Sequence, residues 1–259
     1  MAIALGVAAG TVAGGAVVAA HEATGPGEGV TSPRVALAAP AGQALDIPRP
    51  EGLRDGPDVS RWSYVRRATV ARAAPWRGAA VVGRLGLRTP EGTDMVVPVS
   101  GRRKDAAGRL WLRVTLPRLP NASGGWVPRR ALGSYEVSHD RLVIDLPRRR
   151  LEFRRRGRVL LRAPVGVGQA RWPTPRGTFI VRNRLERYAS PAYGPVAFGT
   201  SARSATLTDW PAGGFIGIHG TDRPGLVPGR VSHGCIRLRN PAILRLARLM
   251  PVGTPVEIR

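Results

Sequence analysis

The chain of 259 residues holds a single cysteine, Cys235, and a single lysine, Lys104. One thiol cannot close a disulfide within the chain, so the fold must rest on packing and backbone pairing alone. Only four histidines are present, and neither a CxxC pair nor an HxxxH spacing occurs. A zinc site would have to combine Cys235 and histidines with a carboxylate such as Asp222, a poorer reading than a thiol enzyme. A zinc site is therefore not the expectation. Acidic residues are scarce too: 17 Asp+Glu stand against 40 Lys+Arg, a formal charge of +23. Aromatic residues make up 5% of the chain and no nucleic-acid motif accompanies the arginines. That counts against nucleic acid as a partner.

The positive charge is thus almost entirely arginine. Such an excess suits a surface drawn to anionic polymers of a cell envelope, although solvated arginines spread along the chain would look the same. The exceptions to that spread are Arg148-Arg149-Arg150 and Arg154-Arg155-Arg156, which are expected at strand ends or on an exposed face. Residues 1–20 are apolar, with Gly6, Gly10, Gly14 and Gly15 among them. Glycine costs roughly 1 kcal/mol per helical position relative to alanine, so a buried helix is a poor account of this stretch. A signal sequence or a membrane anchor fits better, even without a basic segment before it. Export to the periplasm or cell wall is the expectation. Residues 21–60 are rich in Gly, Pro and Ala and read as a flexible linker.

From residue 61 to 133 short apolar runs alternate with turn residues. Thr69 to Arg72, Val81 to Gly83, Met95 to Val99, Leu110 to Val114 and Gly125 to Pro128 read as strands of a small all-β barrel. Trp111 and Trp126 are expected in its core. No side chain in this stretch has obvious chemistry for a thiol reaction, so it is expected to be dispensable for that step. Beyond it, Asp140 to Val167 reads as successive strands with Gly157 at a hairpin turn. Asn240-Pro241 marks a helix start, with asparagine as the cap, and Pro251 ends that helix. A last strand carries Val256 and Ile258.

The chemistry gathers near the C-terminus. Phe215 to Ile218 reads as a buried strand ending at His219, and Val231 to Leu238 as a second strand holding Cys235. The Gly- and Pro-rich stretch between them reads as a loop that returns the chain to its starting point. On residue types alone Cys235 is equally a buried small hydrophobe or a nucleophile. A paired imidazole would lower the thiol's pKa below the free value of about 8.5. Gly234 would let backbone N–H groups of His233, Gly234 and Cys235 approach an oxyanion.

His219-Gly220, Ser232-His233-Gly234-Cys235 and Arg237 resemble the signature of the YkuD-type L,D-transpeptidase catalytic domain. The likeness covers residues 139–259, with Thr174 to Phe179 and Tyr193-Gly194-Pro195 in the same order. The Leu110-Trp111-Leu112 and Gly125-Trp126-Val127 pairs resemble a bacterial SH3-like domain over residues 61–133. The resemblance implies a mainly β protein, an SH3-like barrel followed by a β-sandwich-like catalytic domain with one short helix. It implies Cys235 as nucleophile, His219 as base oriented by the Gly220 carbonyl, and Ser232, His233 and Gly234 lining the site. Arg237 and Tyr193 would contact substrate, although Arg237 reads equally as a structural pair with the loop. The implied substrate is a peptidoglycan stem peptide, cross-linked to a neighbouring stem by a monomeric enzyme that needs no metal or organic cofactor and that carbapenems would acylate. A carboxypeptidase using water, or an inactive wall-binding protein, are the alternatives.

Overall fold

The structure, a computed structural model, describes residues 51–53, 59–186, 190–207 and 214–259. The expected signal or anchor at 1–20 and most of the 21–60 linker lie outside them. Among the described residues no helix is long and apolar enough to cross a membrane. Two mainly antiparallel sheets account for the architecture, and both belong to one compact unit, Leu45–Arg259.

The first sheet contains β1 (Glu51–Gly52), β2 (Ser60–Tyr64), β3 (Thr69–Arg72), β4 (Val81–Leu85), β5 (Val96–Lys104), β6 (Leu110–Thr115), β7 (Gly124–Pro128) and β8 (Glu136–Ser138). The five apolar runs read from the sequence are β3 to β7. Their pairing runs in the open order β4-β3-β7-β6-β5-β2-β8, with β1 added to β5. Among the described residues pairing begins at Glu51, inside the stretch expected to be linker, where Arg102 on β5 holds the Glu51 carboxylate at 2.7 and 2.8 Å. Trp111 is 2% exposed, its ring within the core and its Nε1–H on the Asp105 carboxylate at 3.0 Å. Both tryptophans are core residues, as expected.

The second sheet contains β9 (Asp140–Asp145), β10 (Arg150–Arg155), β11 (Arg158–Pro164), β12 (Gly166–Gly168), β13 (Gly177–Glu186), β14 (Val196–Arg203), β15 (Phe215–His219), β16 (Gly229–Ser232), β17 (Ile236–Arg237) and β18 (Pro255–Ile258). Its order is β11-β10-β9-β18-β13-β14-β15-β17-β12-β16. The helix α1 (Asn240–Leu249) packs Ile243, Leu246 and Ala247 onto the core that Leu142, Phe153, Phe198 and Ile218 build. It is the only α-helix among the described residues. Each large apolar side chain buried in this way stabilises the fold by roughly 1.5–3 kcal/mol.

Much of the arginine is spent locally. Arg155 grips the buried Asp140 through two bonds of 2.7 and 2.9 Å, and Arg154 and Arg162 both hold Glu152. These neighbours pull the Glu152 carboxyl down to about 2. The Arg154 to Arg156 run thus includes structural counter-ions as well as surface charge.

The two sheets meet through an apolar contact. Trp62 and Val96 of the first pack with Ile180 of β13. Trp62 lies against Gly253, where any Cβ would collide with the indole.

Candidate active site

Parallel pairing of β15 with β17 brings the two halves of the signature together. Ile218 faces Ile236 and His219 faces Arg237 across that pair. The single strand expected from Val231 to Leu238 is instead two strands, β16 and β17, separated by a tight turn. Gly234 adopts φ +109°, a left-handed region closed to most side chains, and a Cβ there would meet Ile216 at 2.9 Å. Ser232 ties the turn: its hydroxyl donates to the Cys235 carbonyl at 2.5 Å and accepts the Gly234 N–H at 3.1 Å. Thr174 closes it from outside, donating to the Gly234 carbonyl at 2.8 Å.

Cys235 emerges from this turn beside Gly217. Its Sγ accepts the Gly217 N–H at 3.3 Å. A Cβ added to Gly217 would stand 3.7 Å from both the Cys235 Sγ and the His219 Cδ2. The missing side chain therefore leaves a space bordered by the sulfur and by Cδ2 of the imidazole. On the ring's other side Nδ1–H donates to the Gly220 carbonyl at 2.6 Å, since a carbonyl can only accept. That bond fixes the tautomer and leaves Nε2 with its lone pair. Gly220 serves through its carbonyl, as expected.

Burial sets the protonation of the pair. His219 is 3% exposed, and desolvation, reinforced by the Arg237 charge, lowers its pKa to about 4. Burial raises the Cys235 thiol, against smaller opposing effects from the Gly217 N–H and Arg237. The resting pair is consequently neutral thiol and neutral imidazole near pH 7. The expectation of a thiolate below pH 8.5 is thereby corrected, because desolvation outweighs the groups that favour the anion.

A cavity of about 370 Å³ opens onto this pair, lined by His219, His233, Cys235, Arg237 and Tyr193. The Tyr193 ring lies 4.6 Å from the His219 ring, and Trp172 lies 4.0 Å from His233. The Arg171 guanidinium lies over the Trp172 ring at 3.5 Å, a cation–π contact. Arg237 has no ion-pair partner among the described residues, and its Nε is buried without a hydrogen bond. Of the three candidate oxyanion donors, the Gly234 N–H is already committed to Ser232. Gly217 and Glu91 also line the cavity and Trp172 packs against His233; none of the three was foreseen. The alternation of Phe215, Gly217 and His219 along one strand face could have revealed Gly217. Glu91 comes from the 61–133 stretch that was expected to be dispensable for the thiol step, and it lines the cavity wall.

Residues 139–258 match the family model for the YkuD L,D-transpeptidase catalytic domain. The region belongs to that family. A Bacillus licheniformis protein named as a YkuD L,D-transpeptidase is 35% identical over 118 residues, which cover 46% of this chain and 64% of that protein. An Escherichia coli protein named as the L,D-transpeptidase YbiS is 31% identical over 141 residues, covering 47% of this chain and 45% of that one. The chain thus spans less than two thirds of these relatives. A crystal structure of a mutant Enterococcus faecium L,D-transpeptidase superposes with a TM-score of 0.38 at 22% identity, covering 46% of this chain and 49% of the other. An L,D-transpeptidase from Mycobacterium smegmatis gives 0.39 at 17% identity, over 76% of this chain and 99% of the other.

Two predictions follow from the geometry of this YkuD domain. Ser232→Ala removes a buried hydroxyl that satisfies two backbone groups of the turn before Cys235, which should cost about 1–3 kcal/mol. Thermal unfolding should show a lower melting temperature, and Cys235 acylation should slow beyond what that loss of stability explains. The second concerns acid. The folded-state value for His219 lies below the unfolded value of about 6.5, so the unfolded chain holds the extra proton between the two. This contribution to stability is complete above pH 6.5 and is lost as pH falls toward 4, to a total of roughly 3 kcal/mol. In melts at pH 7 and pH 4, His219→Gln should lose less stability between the two than the wild type does.

Proposed function

We propose that the chain is a peptidoglycan L,D-transpeptidase that works through Cys235 and His219. In the first step His219 Nε2 takes the thiol proton as Sγ adds to the carbonyl carbon before the terminal D-alanine of a tetrapeptide stem. The oxyanion so formed faces the turn at Cys235, where the His233 and Cys235 N–H groups are the candidate donors. Collapse breaks the C–N bond, the imidazolium returns its proton to the leaving amine, and a thioester remains on Cys235. An amine of a neighbouring stem then adds to the thioester and gives its proton to His219. The C–S bond breaks, the thiol is restored, and the stems are joined.

The observation that carries this reading is the position at Gly217, which the Cys235 sulfur and the ring of a histidine bonded through Nδ1 to the Gly220 carbonyl both border. Arg237, whose Nε lacks a hydrogen bond in the cavity wall, suits a substrate carboxylate. With water as acceptor the same site would be a carboxypeptidase. Such a substrate would require export of the protein. Incubation with a disaccharide tetrapeptide tests the reading by mass spectrometry of the products. A cross-linked dimer lacking one D-alanine is expected; tripeptide alone would assign the carboxypeptidase, and an unchanged donor would contradict both.

A further inference from the structure

The first sheet reaches the catalytic cavity through the 86–95 loop between β4 and β5. Glu91 in that loop lines the cavity, and its side chain is 14% exposed. One carboxylate oxygen accepts from Arg182 at 2.8 Å and the other from Asn183 Nδ2 at 3.1 Å, both on β13. Arg182 is only 1% exposed, a guanidinium that the fold could not bury without a counter-charge. Its Nε–H donates to the Thr200 carbonyl on β14 at 3.1 Å, and its charge sits 3.8 Å over the Phe215 ring. Phe215 begins the strand that ends at His219. Phe215, Gly217 and His219 occupy alternate positions, so they share one strand face toward the cavity. Whatever holds Phe215 therefore also sets the face that carries the Gly217 N–H and the imidazole.

The same loop fills an irregularity in the sheet. The pairing of β13 with β14 slips between Val181 and Asn183, and Asn183 Oδ1 accepts the Gly199 N–H at 2.9 Å. Thr93 and Glu91 of the loop accept the Asn183 amide in turn. A second slip separates Gly199 from Arg203 in the pairing of β14 with β15. There Asn121 of the first sheet's β6–β7 connection exchanges two bonds with the Arg203 backbone, at 2.9 and 3.0 Å. Side chains of the first sheet thus complete the wall formed by β13, β14 and β15 at both places where its own ladder fails.

We propose that Glu91 is a positioning residue of the transpeptidase site, acting through Arg182 and Phe215, and that the first sheet is a working part of the catalytic pocket rather than a spacer. This rests on the reading of Cys235 and His219 as nucleophile and base. Loss of the Glu91 charge leaves the Arg182 guanidinium unpaired beneath Phe215, so the wall that a large acyl donor must lie against shifts. The thiol and its base are not touched directly.

The test uses the full chain and two probes of Cys235. Iodoacetamide is small and needs only the thiol, whereas imipenem must occupy the cavity to acylate it. For Glu91→Gln the second-order rate with imipenem should fall tenfold or more while alkylation by iodoacetamide changes less than twofold. Glu91→Asp, which keeps the charge, should recover a substantial part of the imipenem rate. If Glu91→Gln folds poorly, Glu91→Leu with Arg182→Met removes both buried charges. That double variant should melt near the wild type yet remain at least fivefold slow with imipenem. Equal loss of both rates in step with melting temperature would reduce Glu91 to a structural residue and overturn the proposal. An unchanged imipenem rate in a folded Glu91→Gln would overturn it as well. A wild type that takes no acyl group from imipenem would overturn this proposal together with the transpeptidase reading.

Discussion

Cys235→Ala is expected to abolish both cross-linking and covalent capture of carbapenems, while the protein remains folded. Cys235 supplies the only thiol in the chain, so no other side chain can form the thioester. The structural cost is small. Sγ accepts one backbone N–H, from Gly217, and the residue is partly exposed to the cavity. Losing that acceptor should cost about 1 kcal/mol. Cys235→Ser restores an acceptor of nearly the same position and should be as inactive as the alanine variant, which separates the need for sulfur from the need for the hydrogen bond. Intact-mass measurement after incubation with a carbapenem checks both variants. An adduct on Cys235→Ala would show that another group is the nucleophile.

The second large effect is expected at His219. Because burial keeps both thiol and imidazole neutral at rest, the imidazole has to remove the proton as the thiol attacks. His219→Ala should therefore slow acylation by roughly 100-fold or more near pH 7, the range a positioned base provides. The pH profiles should differ in shape. In the wild type the base is competent once deprotonated, so the rate should fall as pH drops toward about 4 and level off above pH 6. In His219→Ala the thiolate must form unaided from a thiol whose pKa burial has raised. Its rate should keep climbing through pH 8.5 and beyond. His233→Ala should retain the wild-type shape at a lower rate, because His233 packs against Trp172 in the cavity wall and the base of the proposed reaction is His219. A climbing profile for His233→Ala beside a level one for His219→Ala would exchange their roles.

Short apolar runs bounded by turn residues were enough to find β3 to β7 and the strand that ends at His219. The signature residues were legible for a different reason: their chemistry and order are specific even without coordinates. Where the reading failed, side chains had replaced backbone partners. Ser232 and a left-handed Gly234 break the expected strand into β16 and β17. Asn240 does not cap α1; its Oδ1 accepts the Thr221 N–H at 2.9 Å, and Arg239 stands at the cap without a side-chain bond. The protonation of the dyad was misjudged because desolvation depends on what packs around His219, which spacing does not reveal. Glu91 carries no local signal at all. Its partner Arg182 lies 91 residues away, and only the docking of one sheet on the other brings them together.

Peptide mapping of the enzyme trapped with a tetrapeptide donor addresses the central claim most directly. The account predicts a mass increase on the peptide containing Cys235 equal to the donor less its terminal D-alanine, an adduct labile to hydroxylamine as a thioester should be, and absent from Cys235→Ala. An acyl group mapped to any other residue, or turnover of the donor by Cys235→Ala, would contradict it.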